Sequence, residues 1–449
     1  MSTPRPSFLA FFVCALSAVL VFSPGCEPDR PPPAGDGEQL PPGGKDPTGN
    51  NDGGTDGGVL VLRSDGGTFA AKPTCSSGTA CAGACSDGGV ICAGNCGFLA
   101  PVQYPFAGDP KAIALGDVDK DGDEDIVTAN NDGKAVAVLL NRRNGLFQTP
   151  SLWSAGREPT ALALEDVNED GSLDLLVANN SGDASLGVFR GKGTGDFQAP
   201  LSTGSAGLDL NDLVVGEFGG NVWSLAVLRG SEQKLSVFPL KSDGTPQTPV
   251  DYDSSAGAYA LVAADFNGDG KKDLAVTHES ACGASSTTPC QSVGVLLGKG
   301  DGTFLPQVLT STGGSPRGLV AAQLDTDTAM DLIVADASRN QVLVMRGQNN
   351  GRFYEPVTYA TVKAPSRVVL ADVNRDFLLD ILVTSATGNQ VGLLLGQSGG
   401  TFSAQVALTA WPQDVGLQGL SASDFDGDNV VDMAVLTRSG IQMLWGICR

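Results

Sequence analysis

Histidine is almost missing from this chain: His278 is the only one in 449 residues. A lone imidazole at the end of a β-type run reads as a surface residue, and it leaves little room for histidine-dependent catalysis. Basic residues are also scarce, with 28 Lys and Arg against 50 Asp and Glu and a formal charge of -22. Nucleic acid and anionic lipid surfaces are poor partners for such a chain. No apolar run reaches the roughly 20 residues that a membrane-spanning helix needs. The longest, Phe8 to Phe22, follows Arg5 and fits the apolar core of a secretory signal. No serine nucleophile elbow is present. Gly191-Lys-Gly193-Thr-Gly195 sits in a turn between strands and does not open a helix, as a phosphate-binding loop must.

What the chain does have is a repeated acidic loop. Asp117, Asp119, Asp121 and Asp125 occupy positions one, three, five and nine, with Gly122 at six and the apolar pair Ile126-Val127 directly after. Oxygen ligands at this spacing can wrap one hard cation, and calcium takes six to eight of them. The glycine permits the sharp turn because it has no Cβ to clash at positive φ. An EF-hand would continue with a bidentate Glu at position twelve and a helix. Here position twelve is Thr128 inside a β-type run, so the loop belongs at the tip of a β-hairpin.

Five further copies follow. Asp166, Asn168, Asp170 and Asp174 form one set, with Gly171 at the turn, and Asp265, Asn267, Asp269 and Asp273 form another, with Gly270. Asp424, Asp426, Asp428 and Asp432 place Asn429 at position six, while Asp372, Asn374, Asp376 and Asp380 place Phe377 there, at a cost in strain. Asp325, Asp327 and Asp331 follow Gln323, which lacks the first carboxylate. A degenerate copy at Glu217 has lost most ligands and carries Trp223, which we expect to fill the lost site. The expectation is about five calcium sites, with a stabilising role for the metal. At roughly millimolar calcium each site would add about 0.4–1.4 kcal/mol. The ligand positions account for 20 of the 50 acids, so much of the charge is metal-site charge.

Loop starts at 117, 166, 217, 265, 323, 372 and 424 set a period near fifty residues. Each unit reads as four short strands, which is a propeller period. In the first unit the expected strands are Ala112 to Val118, Asp125 to Asn130, Ala135 to Asn141 and Phe147 to Ser154. We name them A to D. The C–D turn recurs as Asn144-Gly145, Gly300-Asp301-Gly302-Thr303-Phe304, Asn350-Gly351-Arg352-Phe353 and Gly399-Gly400-Thr401-Phe402. The last unit stops after strand C, near Leu444, and Phe98 to Pro105 resembles the missing strand D. The expected fold is therefore an all-β, seven-bladed propeller with calcium-binding A–B loops, closed by its N-terminal strand.

Over residues 97–449 the acidic loop and the Gly-Phe turn resemble the FG-GAP/VCBS repeat of integrin α-subunit propellers and many bacterial surface proteins. That resemblance implies a calcium-bearing propeller and leaves the ligand open, because the family hosts adhesion, sugar binding and accessory roles. At the front, Ser23-Pro24-Gly25-Cys26 resembles a bacterial lipobox, with Ser23 in place of the usual Leu. The resemblance implies lipidation of Cys26, and Glu27 after it favours the outer membrane of a Gram-negative bacterium. Ordinary secretion is the alternative. The organisation is thus a signal peptide at 1–25, a Pro/Gly/Asp-rich tether at 26–72, a cysteine-rich segment at 73–96 and the propeller at 97–449.

With Cys14 removed and Cys26 lipidated, eight cysteines remain, an even number that suits disulfides in an exported chain. Cys282 and Cys290 bracket an insertion between strands B and C of one unit. Cys96 and Cys448 flank the place where other units have a C–D turn, so a bridge between them would replace that turn. Cys75, Cys81, Cys85 and Cys92 would form two local bridges of open connectivity. A zinc knuckle is the alternative, and no histidine lies near to support it.

These features predict a binding or adhesion module for a protein or glycan, as a monomer, without catalytic residues. The alternatives are a structural cell-envelope component and, behind it, a carbohydrate-active enzyme or its accessory module. A glycosidase needs a carboxyl with a raised pKa, which a calcium ligand would not supply. Trp153 and Trp411 end strands D and mark a ligand face opposite the calcium loops. Tyr252, Tyr259 and Tyr359 lie near similar connections. Packing between blades is the competing role for each of these aromatics.

Overall fold

The computed structural model describes residues 90–93, 96–105, 108–142, 145–181, 186–202, 209–279, 291–410 and 416–448. Regular structure among them is entirely β, and no helix there is long and apolar enough to cross a membrane. Seven four-stranded antiparallel sheets form the blades of a propeller. The first is Pro110–Gly116, Asp125–Asn130, Ala135–Leu139 and Ser151–Ser154, hydrogen-bonded in that order. Strand B of every blade is buried on both faces or nearly so, as in Asp125–Asn130, Asp273–His278 and Asp432–Thr437. This explains why the segment after each acidic loop is continuously apolar rather than alternating. Strand D is mostly exposed: in Ser151–Ser154 and Val357–Ala360 only the third residue, Trp153 or Tyr359, is partly buried.

Strand D is shorter than the sequence suggests. It begins at Ser151, not Phe147, because Pro150 has no N–H to give the ladder. The residues before it do another job. Gln148 N–H donates to Leu140 O, turning Phe147 inward, where it is fully buried. The same turn buries Phe197, Phe304, Phe353 and Phe402.

Each of these phenylalanines packs against the preceding blade. Phe147 meets Tyr104 edge-on with ring centroids 5.6 Å apart, and Phe197 meets Trp153 at 6.0 Å. Phe304 meets Tyr252, and Phe402 meets Tyr359, both at 5.6 Å. Edge-to-face pairs of this kind add about 0.5–1.5 kcal/mol beyond their buried area. The tyrosine hydroxyls also join the two blades. Tyr252 Oη accepts from Phe304 N at 3.0 Å, and Tyr104 Oη donates to Gly145 O at 3.1 Å. The Gly-Phe turn is therefore the joint between neighbouring blades.

The seventh blade draws on both ends of the described chain. Gly419–Ser423, Asp432–Thr437 and Gly440–Leu444 take Val102–Pro105 as their outer strand, with Tyr104 opposite Ile441. Just beyond, Cys96–Phe98 pairs with Gly446–Cys448, and Val90–Ala93 adds a third strand to that small sheet. Cys96 and Cys448 are direct register partners and form a disulfide. Phe98 is buried with Leu408 and Val369 of the sixth blade, the place that the Gly-Phe turn fills elsewhere.

Candidate metal centre

Five of the acidic loops share one backbone. Residues four and six have left-handed φ in each: Lys120 and Gly122, Glu169 and Gly171, Gly268 and Gly270, Arg375 and Phe377, Gly427 and Asn429. The carboxylates impose this shape. The first aspartate accepts from the N–H groups of positions five and six, as Asp117 does from Asp121 and Gly122 at 3.1 and 3.0 Å. Position three accepts from position five, and position five accepts from position seven, as Asn267 does from Asp269 N and Asp269 from Lys271 N, each at 3.0 Å. These short-range side-chain to backbone bonds are those that Asp and Asn make in turns.

Position nine has a second task that the sequence does not announce. Asp125, Asp273, Asp380 and Asp432 are fully buried and accept two backbone N–H bonds each. One comes from position two of the same loop, the other from the residue opening the C–D turn or, for Asp432, from Gly446, where the Cys96–Cys448 pair stands in for that turn. For Asp273 the donors are Phe266 N at 2.9 Å and Gly298 N at 2.7 Å; for Asp380 they are Val373 N and Gly396 N at 2.9 and 2.7 Å. In the second blade Val167 N–H turns to Glu165 O, and Asp174 Oδ2 is buried without a hydrogen-bond partner. The A–B loop and the C–D turn are thereby clamped together by one carboxylate.

The electrostatics suit a cation. Burial is the largest cause raising the pKa of Asp125 and Asp380 to about 7 and of Asp174 and Asp273 to about 6, and repulsion from neighbouring loop carboxylates adds to it. Asp119 is raised by burial and then by Asp121 and Asp117. In the loops with Asp at positions one, three and nine, an oxygen from each of Asp117, Asp119 and Asp125, or of Asp424, Asp426 and Asp432, lies within 4.8 Å of the others. A divalent ion held by these hard oxygen donors would offset both causes, and the all-oxygen set with its flexible geometry fits calcium. The buried Asp174 oxygen without a partner fits the same reading.

The loop at Gln323 is built differently. Its positions four and six, Thr326 and Thr328, are not left-handed, and Gln323 Nε2 donates to Thr328 O at 3.2 Å. Arg346 Nη1 lies 2.8 Å from both Asp325 Oδ2 and Asp331 Oδ2. Asp327 Oδ1 accepts from Ala329 N at 2.9 Å. At Glu217 the chain runs as a tight hairpin, Leu210–Gly219 to Val222–Arg229, with Trp223 directly opposite Glu217. Trp223 packs half-buried against the core.

Other residues singled out in the sequence fall as follows. His278 is fully buried, not on the surface: it lies on a strand B covered on both faces, with Nε2 2.7 Å from Gln307 Nε2. Burial lowers its pKa to about 4. Trp153, Tyr252 and Tyr359 are committed to the joints between blades described above. Tyr259 is overlaid by the guanidinium groups of Arg317 and Arg367, each 5.6 Å from its ring. Phe377 is 94 % exposed at φ 67°. Trp411, Cys26, Cys75, Cys81, Cys85, Cys282 and Cys290 lie outside the described residues, as do the signal peptide and tether. The flanking strands Asp273–His278 and Ser292–Leu296 place the Cys282–Cys290 insertion between strands B and C of the fourth blade.

Sequence reasoning missed Arg346 and the joints. The joints had a signal, the phenylalanine that recurs after the turn glycine. Arg346 had a weaker one, standing where the first, fourth and sixth blades have Leu140, Leu297 and Leu395.

Residues 117–177 and 323–383 each match the FG-GAP-like repeat. Among solved structures, the chain resembles BBS1N in complex with ARL6DN, soaked with mercury, at 11 % identity and a TM-score of 0.55 over 78 % of this chain and 97 % of that one. The lead-soaked form of that complex gives 13 % identity and a TM-score of 0.54 over the same shares. A lectin of Agrocybe aegerita that recognises non-reducing terminal N-acetylglucosamine is similar at 18 % identity, with a TM-score of 0.49 over 68 % of this chain and 81 % of that one. At such identities the likeness concerns the fold alone. A search of curated proteins returns no match. With seven four-stranded sheets and the acidic loop repeated at the blade tips, the chain is a seven-bladed β-propeller carrying FG-GAP-like repeats.

Proposed function

We propose that this protein is a calcium-stabilised binding or adhesion module that is exported, lipid-anchored through Cys26 and directed at a protein or glycan partner. The observation that carries the reading is the shared backbone of five acidic loops, in two of which the aspartate oxygens of positions one, three and nine lie within 4.8 Å of one another, as around one hard cation. The metal would be held by Asp117, Asp119, Asp121 and Asp125 and by the matching residues of the loops starting at Asp166, Asp265, Asp372 and Asp424. Its role would be to neutralise clustered carboxylates and brace the A–B loop against the C–D turn. Propeller rims made of many loops are suited to display a recognition surface on a rigid frame.

Binding rather than catalysis is the favoured role. His278 is buried within a sheet, and the position-nine carboxylates with raised pKa are already committed to two backbone donors or shielded within the loops. The test is a glycan array and a cell-surface binding assay with the purified propeller at millimolar calcium and in excess chelator. Binding that appears with calcium supports the module. Blank results in both assays, with a folded protein, would favour a structural envelope role. Incorporation of labelled fatty acid that is lost in Cys26→Ser would support the anchor.

A further inference from the structure

The fifth blade keeps three of the loop aspartates and yet departs from the backbone of the other five loops. The charge it carries is met from within the chain. Arg346 ends strand C of that blade, after Gln341–Met345, and its guanidinium turns into the acidic loop. Nη1 reaches Asp325 Oδ2 and Asp331 Oδ2, both at 2.8 Å. Nη2 donates to Gly399 O at 3.0 Å and also to Gly400 O, both in the C–D turn of the sixth blade. The arginine thus contacts positions three and nine of its own loop and the next blade at once.

We propose that Arg346 is a built-in cation that takes the place of calcium in the loop at Gln323, so that this blade is held together independently of the metal. The inference rests on the calcium reading of the other five loops. Three observations support the substitution. First, the position-nine clamp survives: Asp331 Oδ1 accepts from Gly347 N at 2.8 Å, and Oδ2 accepts from Leu324 N at 3.3 Å beside the guanidinium. Second, the carboxylate at position one, which accepts from positions five and six in the other loops, is the one replaced, by Gln323, and the guanidinium faces the carboxylates left at positions three and nine, Asp325 and Asp331. Third, the arginine's behaviour depends on its loop. Arg190 stands at the same place in the second blade, since Gln198 N donates to Arg190 O as Tyr354 N does to Arg346 O. Its own loop has Asp166 at position one, and its guanidinium points away, to Asp243 O at 2.9 Å and Asp243 Oδ2 at 3.5 Å in the next turn. Arginine is suited to the task because its planar fork can serve two carboxylates and two carbonyls together and does not lose its proton.

The test has two readouts. Calcium equivalents are counted by equilibrium dialysis for the full chain, for Asp331→Asn, for Asp273→Asn and for the double variant Arg346→Leu with Gln323→Asp. The expected results are no change for Asp331→Asn, one equivalent fewer for Asp273→Asn and one more for the double variant. A folded double variant that gains nothing, or an Asp331→Asn protein that loses an equivalent, overturns the proposal. The second readout is the unfolding midpoint in excess chelator for Arg346→Leu and Arg190→Leu. The proposal expects a clear downward shift for Arg346→Leu and a smaller one for Arg190→Leu, and equal shifts overturn it. If the unaltered chain binds no calcium at all, the calcium reading of its function fails, and the chelator comparison still decides whether Arg346 serves as the loop's cation.

Discussion

Replacing Asp273 by alanine separates the two roles that the structure gives to position nine. The Asp273 carboxylate is fully buried and accepts from Phe266 N at 2.9 Å and Gly298 N at 2.7 Å. Alanine leaves both N–H groups without an acceptor in a closed site. A buried donor left unpaired costs about 1–3 kcal/mol. Two of them predict a loss of about 2–6 kcal/mol in Asp273→Ala even when no calcium is present. The assay is urea unfolding, followed by far-ultraviolet circular dichroism, in excess chelator and in millimolar calcium. The pH dependence has a definite sign. The folded pKa of Asp273 is raised to about 6, so the stability this group gives the metal-free protein is greatest below 3.8 and falls as pH rises through 6. In chelator the penalty of the substitution should therefore be larger at pH 5 than at pH 8. With calcium the penalty at pH 8 should grow, because the ligand is lost as well. A loss below about 1 kcal/mol in chelator, with the full effect appearing only in calcium, would refute the clamp and leave a simple metal ligand.

Four further outcomes are expected. Excess chelator should lower the thermal midpoint of the propeller, since each filled site adds about 0.4–1.4 kcal/mol at millimolar calcium, and an unchanged midpoint would mean empty acidic turns. His278, with its folded pKa lowered to about 4, contributes stability above pH 6.5 that is lost as pH falls toward 4. Between pH 7 and 4 the unaltered protein should therefore lose roughly 3 kcal/mol more than His278→Gln in urea titrations, and parallel losses would contradict this. Phe377→Gly should stabilise the chain by about 1 kcal/mol, because the exposed ring sits at φ 67° and packs against nothing that would be lost; a destabilised variant would reveal a hidden contact. Reducing the Cys96–Cys448 bridge, which spans 352 residues, should cost about 6 kcal/mol in the chain-entropy picture, measured as the difference in unfolding free energy from urea titrations of Cys448→Ser and the oxidised protein.

The sequence by itself determined the blade count, the place of each acidic loop and the partner of Cys448. Those features depend on local chemistry repeated at a fixed period: carboxylates spaced for a loop, a residue tolerant of positive φ, a Gly-Phe turn and an apolar strand. Repetition made a weak local signal legible, and the worn copy at Glu217 could be placed by the same spacing. Only the tertiary structure decided what lies between repeats. The Trp153–Phe197 and Tyr252–Phe304 joints bring together residues of different blades, and no property of one blade specifies the ring that the next presents. His278 looks like a strand end in the sequence, yet neighbouring elements bury it. The double acceptance by Asp273 depends on Gly298, which meets it only when strand C returns alongside strand B. Arg346 follows the same rule most clearly: its charge is visible in the chain, but only the packed blade shows that Asp325 and Asp331 receive it.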